Sequence, residues 1–277
     1  MTDDGRVAVL IDCDNMSHRW VRAILAEAAK HGTLGIKRGY GDWTDSHLDG
    51  WRDKLPEYAI QPIQQFAYTV GKNSTDFSLV IDAMDLLYAG TVDTFCLVTS
   101  DSDFTRIAMR LRESGKQVHG IGARKTPRAF QSACDQFTYV EVLVGEGVEA
   151  AAAEPSEAPA STTGAVKATA RKAVKKATPA KKAAAPSKND QVRQLTELLL
   201  PAVEANAKDD GWASLSAVGS YVVKTNPTFD SRNFGYAKLS TLVADLPALE
   251  VQELASRTDG LSVLYVREAG ARSARRT

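Results

Sequence analysis

The chain has 277 residues, 44% of them hydrophobic and 25% charged, and a formal net charge of zero. This length suggests about two domains, and the charge is segregated: residues 1–150 hold 16 basic and 21 acidic side chains, whereas residues 151–190 hold 8 and 3. Three sparse cysteines, Cys13, Cys96 and Cys134, argue against a disulfide framework, and four scattered histidines without a CxxC argue against structural zinc. No apolar run approaches the roughly 20 residues of a membrane span, so we expect a soluble, cytoplasmic protein.

Residues 6–144 alternate between patterns typical of strands and patterns typical of helices. The run VAVLID, at residues 7–12, is continuously apolar up to its last residue, which is typical of a strand buried on both faces. Further strands are predicted at residues 34–38, 60–66, 95–99, 117–121 and 139–144. Helices are predicted around residues 21–28 and 46–55, from residue 75 onward, and around 107–111. This alternation predicts an α/β fold in which helices flank a parallel sheet and ligands bind at the carboxyl ends of the strands.

The composition changes at residue 146, which predicts a domain of residues 1–145 followed by a linker. Residues 146–190 are dominated by Ala, Pro, Lys, Ser and Thr, which predicts disorder. The basic side chains of this linker resemble tails that hold nucleic acid electrostatically, although a solvated spacer is the alternative. Residues 191–268 regain periodicity. Three helices are predicted, of which the second starts at Ser214 or Ser216 and the third spans residues 232–246, followed by strands at 249–254 and 261–266, which is typical of a winged helix. A basic tail follows at 269–277.

Acidic side chains follow two of the apolar runs at the point where each predicted strand ends. Asp12 ends the first strand, and Asp101 and Asp103 follow the strand FCLVTS. In a parallel sheet these two strand ends can be neighbours, and clustered carboxylates repel each other unless a cation binds between them. A divalent ion, Mg²⁺ or Mn²⁺, is the usual solution. The alternative is that Ser100, Asp101 or Ser102 only caps the helix that follows.

Four further residues are weaker candidates for the same site. Asp76 lies near the start of a predicted helix, where the helix dipole favours an acid in any case. Asp82, on the same helix, is either an outer acid of the site or a surface residue. Asn15 could orient a water molecule or a phosphate, or simply form a turn. Lys72 follows a glycine in a loop, where it could neutralise a phosphate or be solvated.

A metal ion held by these carboxylates would support hydrolysis of a phosphodiester. Such an ion lowers the pKa of water for in-line attack on phosphorus and stabilises the charge that develops on the phosphate oxygens. The chain has no Ser-His-Asp set and no GxxxxGK[ST] loop to favour other chemistry. A dehalogenase-type phosphatase is a competing interpretation because IDCDN contains a DxD motif, but that motif requires Thr or Val where Met16 stands.

Four motifs, taken together and in order, resemble the NYN domain, a branch of the PIN-like nucleases. They are the opening hydrophobic-D-x-D-N, the GK…D helix, the TSDSDF strand end and SACDQFTYVE at residues 132–141. The resemblance implies a PIN-like Rossmannoid sheet and a metal-dependent ribonuclease of the LabA-like type, expected to be an endonuclease. The matching residues are Asp12, Asp76, Asp101 and Asp103 as catalytic metal ligands, Asn15 as a catalytic residue and Lys72 as an RNA contact.

The second unit resembles the LOTUS, or OST-HTH, domain over residues 209–247, including Gly211-Trp212 and the run FGYAKL. Such domains are implicated in binding RNA or protein partners. The residues expected to contact single-stranded or structured RNA are Arg232, Asn233, Tyr236 and Lys238. A protein partner of this domain and a homodimer both stay open.

Two hypotheses from different classes follow. The first is a metal-dependent ribonuclease targeted to RNA by the LOTUS-like domain and the basic linker. The second is a non-catalytic RNA-binding or regulatory adaptor on a PIN-like scaffold. The clustered acids favour the first, because a scaffold without activity has little reason to keep mutually repelling charges.

Overall fold

The computed structural model describes residues 5–65, 74–144, 188–208, 210–255 and 262–270. The strands of the first unit are β1 (Arg6–Asp12), β2 (Thr33–Gly41), β3 (Gln61–Gln64), β4 (Thr94–Val98), β5 (Gln117–Gly122) and β6 (Gln136–Tyr139). Its helices are α1 (Val21–Ala28), α2 (Asp49–Arg52), α3 (Lys54–Glu57), α4 (Ser74–Ala89), α5 (Thr105–Glu113), α6 (Arg128–Ala133) and α7 (Val140–Val144).

The six strands form one parallel sheet in the order β3-β2-β1-β4-β5-β6. From β1 the chain moves outward to β2 and β3, then returns to the other side of β1 to form β4. The carboxyl ends of β1 and β4 therefore flank the point where the strand order reverses, which is where open α/β sheets bind ligands. The predicted α/β class and parallel sheet with flanking helices are confirmed.

The central strands are buried on both faces, as their continuous apolar runs predict. On β1, Val7, Val9 and Ile11 pack into the core beside α1, whereas Ala8 and Leu10 pack into the core beneath α4 and α5. All five side chains are inaccessible to solvent. The period of two along a strand divides this apolar run between two cores, which fixes the register of β1 and the position of Asp12 at its end.

Three local predictions in the first unit are wrong or incomplete. The predicted strand at residues 139–144 is instead the end of β6 followed by α7, because a short apolar run such as VEVLV does not distinguish strand from helix by periodicity. The predicted helix at 46–55 is divided into a 3₁₀ turn, α2 and α3. Helix α6 was not predicted, and the last residue of the strand predicted at 60–66 lies outside the described residues.

The second unit contains three helices and a small antiparallel sheet. They are α8 (Lys188–Asn206), α9 (Leu215–Thr225), α10 (Leu239–Ala244), β7 (Ala213–Ser214), β8 (Leu249–Ala255) and β9 (Ser262–Glu268), with sheet order β7-β9-β8. The third predicted helix, at 232–246, is interrupted: a 3₁₀ turn ends at Gly235, whose φ of 85° is left-handed, and α10 begins only at Leu239. Glycine adopts this conformation without steric cost.

The two units contact each other near the amino ends of β5 and β6. The backbone N–H of Phe137, on the outermost strand β6, donates to the carbonyl oxygen of Pro227 at 2.8 Å. Arg232 forms an ion pair with Glu27 of α1 at 2.9 Å. The contact therefore lies at the opposite end of the strands from Asp12. Among the described residues, no helix has the length and apolarity needed to cross a membrane.

Candidate metal centre

Asp12 is the last residue of β1 and is 1% exposed. Its Oδ2 accepts hydrogen bonds from the Thr99 hydroxyl and the Asn15 side-chain amide, both at 2.8 Å, and its Oδ1 accepts from the Asn15 backbone N–H at 3.2 Å. Burial raises the pKa of Asp12, and these hydrogen bonds oppose that shift without cancelling it. Asp12 is thus a buried acid held by neutral donors.

Thr99 connects Asp12 to Asp101. It follows β4, the neighbour of β1, so its hydroxyl lies opposite the end of β1. While this hydroxyl donates to Asp12, its oxygen accepts a hydrogen bond from the Asp101 backbone N–H at 3.1 Å. The sheet therefore brings Asp12 and Asp101 to one edge, as predicted, and Thr99 links them. Sequence reasoning missed this threonine.

Asp101 caps a helix, which is the alternative interpretation of this residue, and its role as a metal ligand stays a prediction. Its Oδ1 accepts from the Asp103 backbone N–H at 2.9 Å and starts the 3₁₀ turn Ser102–Phe104, which leads into α5. Phe104 is buried and anchors this turn in the core. Capping occupies one carboxylate oxygen of Asp101, and a carboxylate has further lone pairs for a metal. Asp103 is exposed on the same turn.

The two acids of the first motif point to different neighbours. Asp12 faces Thr99, whereas the Asp14 carboxylate lies 3.3 Å from His47 Nε2 in the segment after β2. Asp82 lies on α4, where it pairs with Arg38 and accepts from the Tyr40 hydroxyl, each at 2.8 Å. Asp82 therefore joins α4 to β2, and Asp14 belongs to the flank of the site on the β2 side.

Basic side chains lie on the opposite flank, after the carboxyl end of β5. Arg124, Lys125 and Arg128 are exposed there, and the Arg124 guanidinium lies 5.7 Å from the centre of the Tyr139 ring. The segment is fixed to the β4 end because the Ala123 N–H donates to the Ser100 hydroxyl at 2.9 Å. A cationic flank beside an acidic centre suits a polyanionic ligand. These three residues could not be identified as part of the site from the sequence, because they lie in a loop and belong to no recognised motif.

Two residues of the predicted site, Asp76 and Lys72, lie partly or wholly outside the part of the chain that the structure describes. Asp76 belongs to the first turn of α4, which follows β3, but its side chain is not among those described. Lys72 lies outside the described residues altogether. Within the described side chains, which omit Asp76, no three His, Cys, Asp or Glu residues converge closely enough to hold a metal ion.

The donor set nevertheless fits a divalent cation. Among the described residues, no Lys, Arg or His forms an ion pair with Asp12. Its hydrogen-bond donors are neutral, and the nearby charged group is another acid, Asp14. A buried carboxylate is costly unless it is protonated or paired with positive charge. Oxygen ligands from Asp side chains are those that Mg²⁺ and Mn²⁺ prefer. A cation beside Asp12 and Asp101 would remove the cost.

The four residues of the second unit that were predicted to contact RNA lie in different surroundings and have different partners. Arg232 pairs with Glu27 and Asp230, the Asn233 amide donates to the Thr228 carbonyl, and the Tyr236 hydroxyl donates to Asp245. Lys238 is exposed at the start of α10. The first three make contacts within the protein, and their role in RNA binding stays a prediction.

Two family models match the chain. The model of the NYN domain matches residues 6–141, which span the whole parallel sheet. Residues 6–141 are an NYN domain. The model of the OST-HTH/LOTUS domain matches residues 187–259. The suspected architecture, an NYN domain followed by a LOTUS domain, is confirmed.

Three proteins that are similar to this chain have names that state no activity. An uncharacterized protein of Methanocaldococcus jannaschii is 30% identical over 150 residues, which are 52% of this chain and 57% of that protein. A crystal structure of a protein of unknown function from Vibrio parahaemolyticus is 17% identical, with a TM-score of 0.43, over 50% of this chain and 94% of that one. A solution structure of residues 175–257 of a Chromobacterium violaceum protein is 46% identical, with a TM-score of 0.23, over 27% and 78%.

Proposed function

We propose that this protein is a metal-dependent ribonuclease that hydrolyses RNA phosphodiesters at the carboxyl ends of β1 and β4. The observation that carries the proposal is the environment of Asp12, an almost fully buried acid with a raised pKa and no cationic partner among the described residues. Such a site gains stability when a divalent cation binds. Its position in an NYN domain supports nuclease chemistry.

Asp12 and Asp101 would hold the metal, and Asp76 and Asp103 complete the proposed ligand set. A bound Mg²⁺ or Mn²⁺ ion supplies a Lewis acid that polarises the phosphate and lowers the pKa of water. Thr99 and Asn15 fix the orientation of the Asp12 carboxylate through their hydrogen bonds. This support restricts the rotamer of Asp12, which a preorganised site requires.

Recognition of the substrate would be divided between the domains. Arg124, Lys125 and Arg128 offer exposed positive charge beside the acidic centre for the phosphate backbone. Among the described residues, the contacts of the LOTUS domain with the sheet lie at the amino ends of the strands, opposite the acidic centre. RNA bound by the LOTUS domain or by the basic linker would therefore be kept near the nuclease centre without covering it.

A non-catalytic RNA-binding adaptor is the second candidate. One observation favours it, namely that the described side chains contain no three-residue cluster of metal-binding type. An adaptor would bind RNA with the same affinity whether or not Asp12 can bind metal. The two functions are separated by whether the wild-type protein cuts the RNA that it binds.

The proposal is tested by incubating the full chain with end-labelled single-stranded and structured RNA in Mn²⁺, Mg²⁺ or EDTA. We expect products in metal alone, and none from Asp12→Asn or Asp101→Asn protein that keeps its circular dichroism spectrum. Asp14→Asn is the matched control, because it removes an acid of the same motif that faces His47. Binding of intact RNA without any products in wild-type protein would favour the adaptor.

A further inference from the structure

A groove lies between α4 and α5 and begins at the nuclease rim. It has a volume of about 480 Å³, and its lining includes Asp103 at one end, Phe77 on α4, and Arg106 and Arg110 on α5. Both helices start at the carboxyl edge of the sheet, since α4 follows β3 and the turn after β4 leads into α5. The groove therefore runs from the acidic site along the outside of the helical layer.

On the α4 side of the groove, an aromatic ring is exposed to solvent and does not pack into the core. Phe77 is 70% exposed, although a large apolar side chain at this position of an amphipathic helix usually packs inward. It lies one residue after Asp76 and within the second turn of α4, close to the predicted metal ligands. The floor beside it is apolar, formed by Val80, Met84 and Ile107. An exposed ring over an apolar floor is a surface on which a base can stack.

The α5 side of the groove carries two arginines on one helical face. Arg106 and Arg110 are four residues apart, and like charges at that spacing destabilise a helix. Both are exposed, and neither forms an ion pair with a described residue. In contrast, Arg112, two residues further on, pairs with Asp135. An anion that contacts both arginines would offset their repulsion.

We propose that this groove binds single-stranded RNA that enters or leaves the nuclease centre, with a base on Phe77 and phosphates on Arg106 and Arg110. Aromatic side chains interleaved with cations are typical of surfaces that bind single-stranded nucleic acid. Charge complementarity selects RNA over a second copy of the chain, because two exposed arginines that form no ion pair with a described residue lie beside the apolar floor of the groove. The inference rests on the proposed function, because RNA would enter or leave the nuclease centre through the end of the groove at which Asp103 connects it to the acidic site.

The test measures RNA binding separately from cleavage. A fluorescein-labelled, short single-stranded RNA is titrated with full-length protein in EDTA at several salt concentrations. We expect Phe77→Ala to weaken binding by about fivefold or more, and each of Arg106→Ala and Arg110→Ala to reduce the salt dependence of log Kd by about 0.7. The matched controls are Tyr88→Ala, an equally exposed ring three turns along α4, and Arg22→Ala, an exposed arginine on α1.

Cross-linking locates the RNA independently of affinity. RNA carrying 4-thiouridine is irradiated with wild-type protein in EDTA, and the cross-linked peptides are identified by mass spectrometry. Adducts on the α4 peptide that contains Phe77, lost in Phe77→Ala, would support the groove. Adducts confined to the linker or LOTUS domain, with unchanged affinity of the three groove variants, would overturn it. A wild-type dimer that Phe77→Ala converts to a monomer would also overturn it, by assigning the ring to a homodimer interface.

The groove and the nuclease function can fail separately. If wild-type protein cleaves RNA in Mn²⁺ and the groove variants bind like the controls, the groove is wrong and the function stands. If binding depends on Phe77 and Arg106 but no RNA is cut, the groove stands and the nuclease proposal is wrong.

Discussion

Thr99 donates a 2.8 Å hydrogen bond to Asp12 across the junction of β4 and β1. This contact links the ends of β4 and β1, between which the strand order of the sheet reverses. It also gives the buried Asp12 carboxyl group a neutral hydrogen-bond donor. Because the same hydroxyl oxygen accepts from the Asp101 N–H, Thr99 holds both acids in one arrangement.

Replacing Thr99 by Val should damage both stability and the acidic site. The variant keeps the shape but loses the hydroxyl, which leaves Asp12 and the Asp101 N–H each with one fewer partner. We expect a loss of about 1–3 kcal/mol in the free energy of unfolding, measured in urea, together with a further rise in the pKa of Asp12. The control is Thr99→Ser, which retains the hydroxyl and should stay within about 1 kcal/mol of wild type. Equal losses in Val and Ser variants would show that the hydrogen bonds contribute nothing.

The raised pKa of Asp12 predicts the sign of a pH effect. A carboxyl group whose folded-state pKa is raised binds protons more readily when folded, so its contribution to stability falls as pH rises above about 4. We therefore expect the stability of wild type, relative to Asp12→Asn, to decrease as pH rises from 4 to neutral in the absence of metal. Thermal unfolding of both proteins over this range measures the difference. A difference that grows in favour of wild type would contradict the burial account.

Divalent metal should reverse that trend in every variant that keeps Asp12. Metal binding requires the deprotonated carboxylate, so Mn²⁺ should raise the Tm most at neutral pH and least at acidic pH. At a concentration one hundred times the Kd, a single site would stabilise the fold by about 2.7 kcal/mol. Asp12→Asn should show little of this gain, and Asp14→Asn should keep most of it. Comparable Tm increases in all three proteins would indicate binding elsewhere.

The contact between the domains should depend on Glu27 and Arg232. Glu27 is 4% exposed, and Arg232 donates to its two oxygens at 2.9 and 3.2 Å. Burial alone would raise the pKa of Glu27, but the hydrogen bonds from Arg232 and Lys30 outweigh it and lower the pKa. A depressed carboxyl pKa gives stability above the ordinary value of about 4.3 that is lost as pH falls below it. Docking should therefore hold at neutral pH and weaken in acid.

Small-angle scattering tests this contact. Arg232→Ala and Glu27→Gln should each increase the radius of gyration of the full chain, because the LOTUS domain separates from the sheet. The NYN domain should lose little stability, since Glu27 becomes hydrated once the domains separate. The matched control is Arg193→Ala, which breaks an exposed ion pair within α8. Unchanged scattering in both interface variants would show that other contacts hold the domains or that they are separate in wild type.

Trp51 should be the more sensitive of two tryptophans that donate to carbonyl oxygens. Trp51 is 1% exposed and its Nε1 donates to the Met16 carbonyl at 3.1 Å, just beyond the acidic motif. Trp51→Phe leaves that buried carbonyl unpaired and should cost about 1–3 kcal/mol in urea unfolding. Trp43 makes the same type of bond to Ile63 from a half-buried position, so Trp43→Phe should cost less. A larger loss for Trp43→Phe would contradict this ranking.

The central sheet and the position of two acids could be predicted because they follow from short-range rules. The run VAVLID can be continuously apolar only if both faces of the strand are buried, and right-handed parallel connections then place its end beside the end of β4. Asp12 and Asp101 therefore meet where sequence reasoning expects. The start of α9 was predicted at Ser214 or Ser216, and of the two it is Ser214 that caps the helix by accepting a hydrogen bond from the Ala217 N–H.

Other features depend on contacts that sequence patterns do not encode. Thr99 looks like any strand-ending residue until its neighbour across the sheet is known. Glu27 and Arg232 are far apart in the chain, so their pairing depends on how two folded domains meet. The helix α7 depends on the packing of Val140 and on a hydrogen bond from the Arg124 N–H to Glu141, which a five-residue apolar run does not reveal. Phe77 was similarly indistinguishable from a core residue.

The proposed nuclease function depends most directly on whether the acids at the ends of β1 and β4 bind a divalent cation. Electron paramagnetic resonance of Mn²⁺ titrated into metal-free protein at neutral pH, with and without a short RNA, measures this. The account predicts tight Mn²⁺ binding by wild type and Asp14→Asn, a large loss of affinity in Asp12→Asn and Asp101→Asn, and displacement by Mg²⁺. Free Mn²⁺ signals that are the same for wild type and Asp12→Asn, in the presence of RNA as well as in its absence, would contradict it.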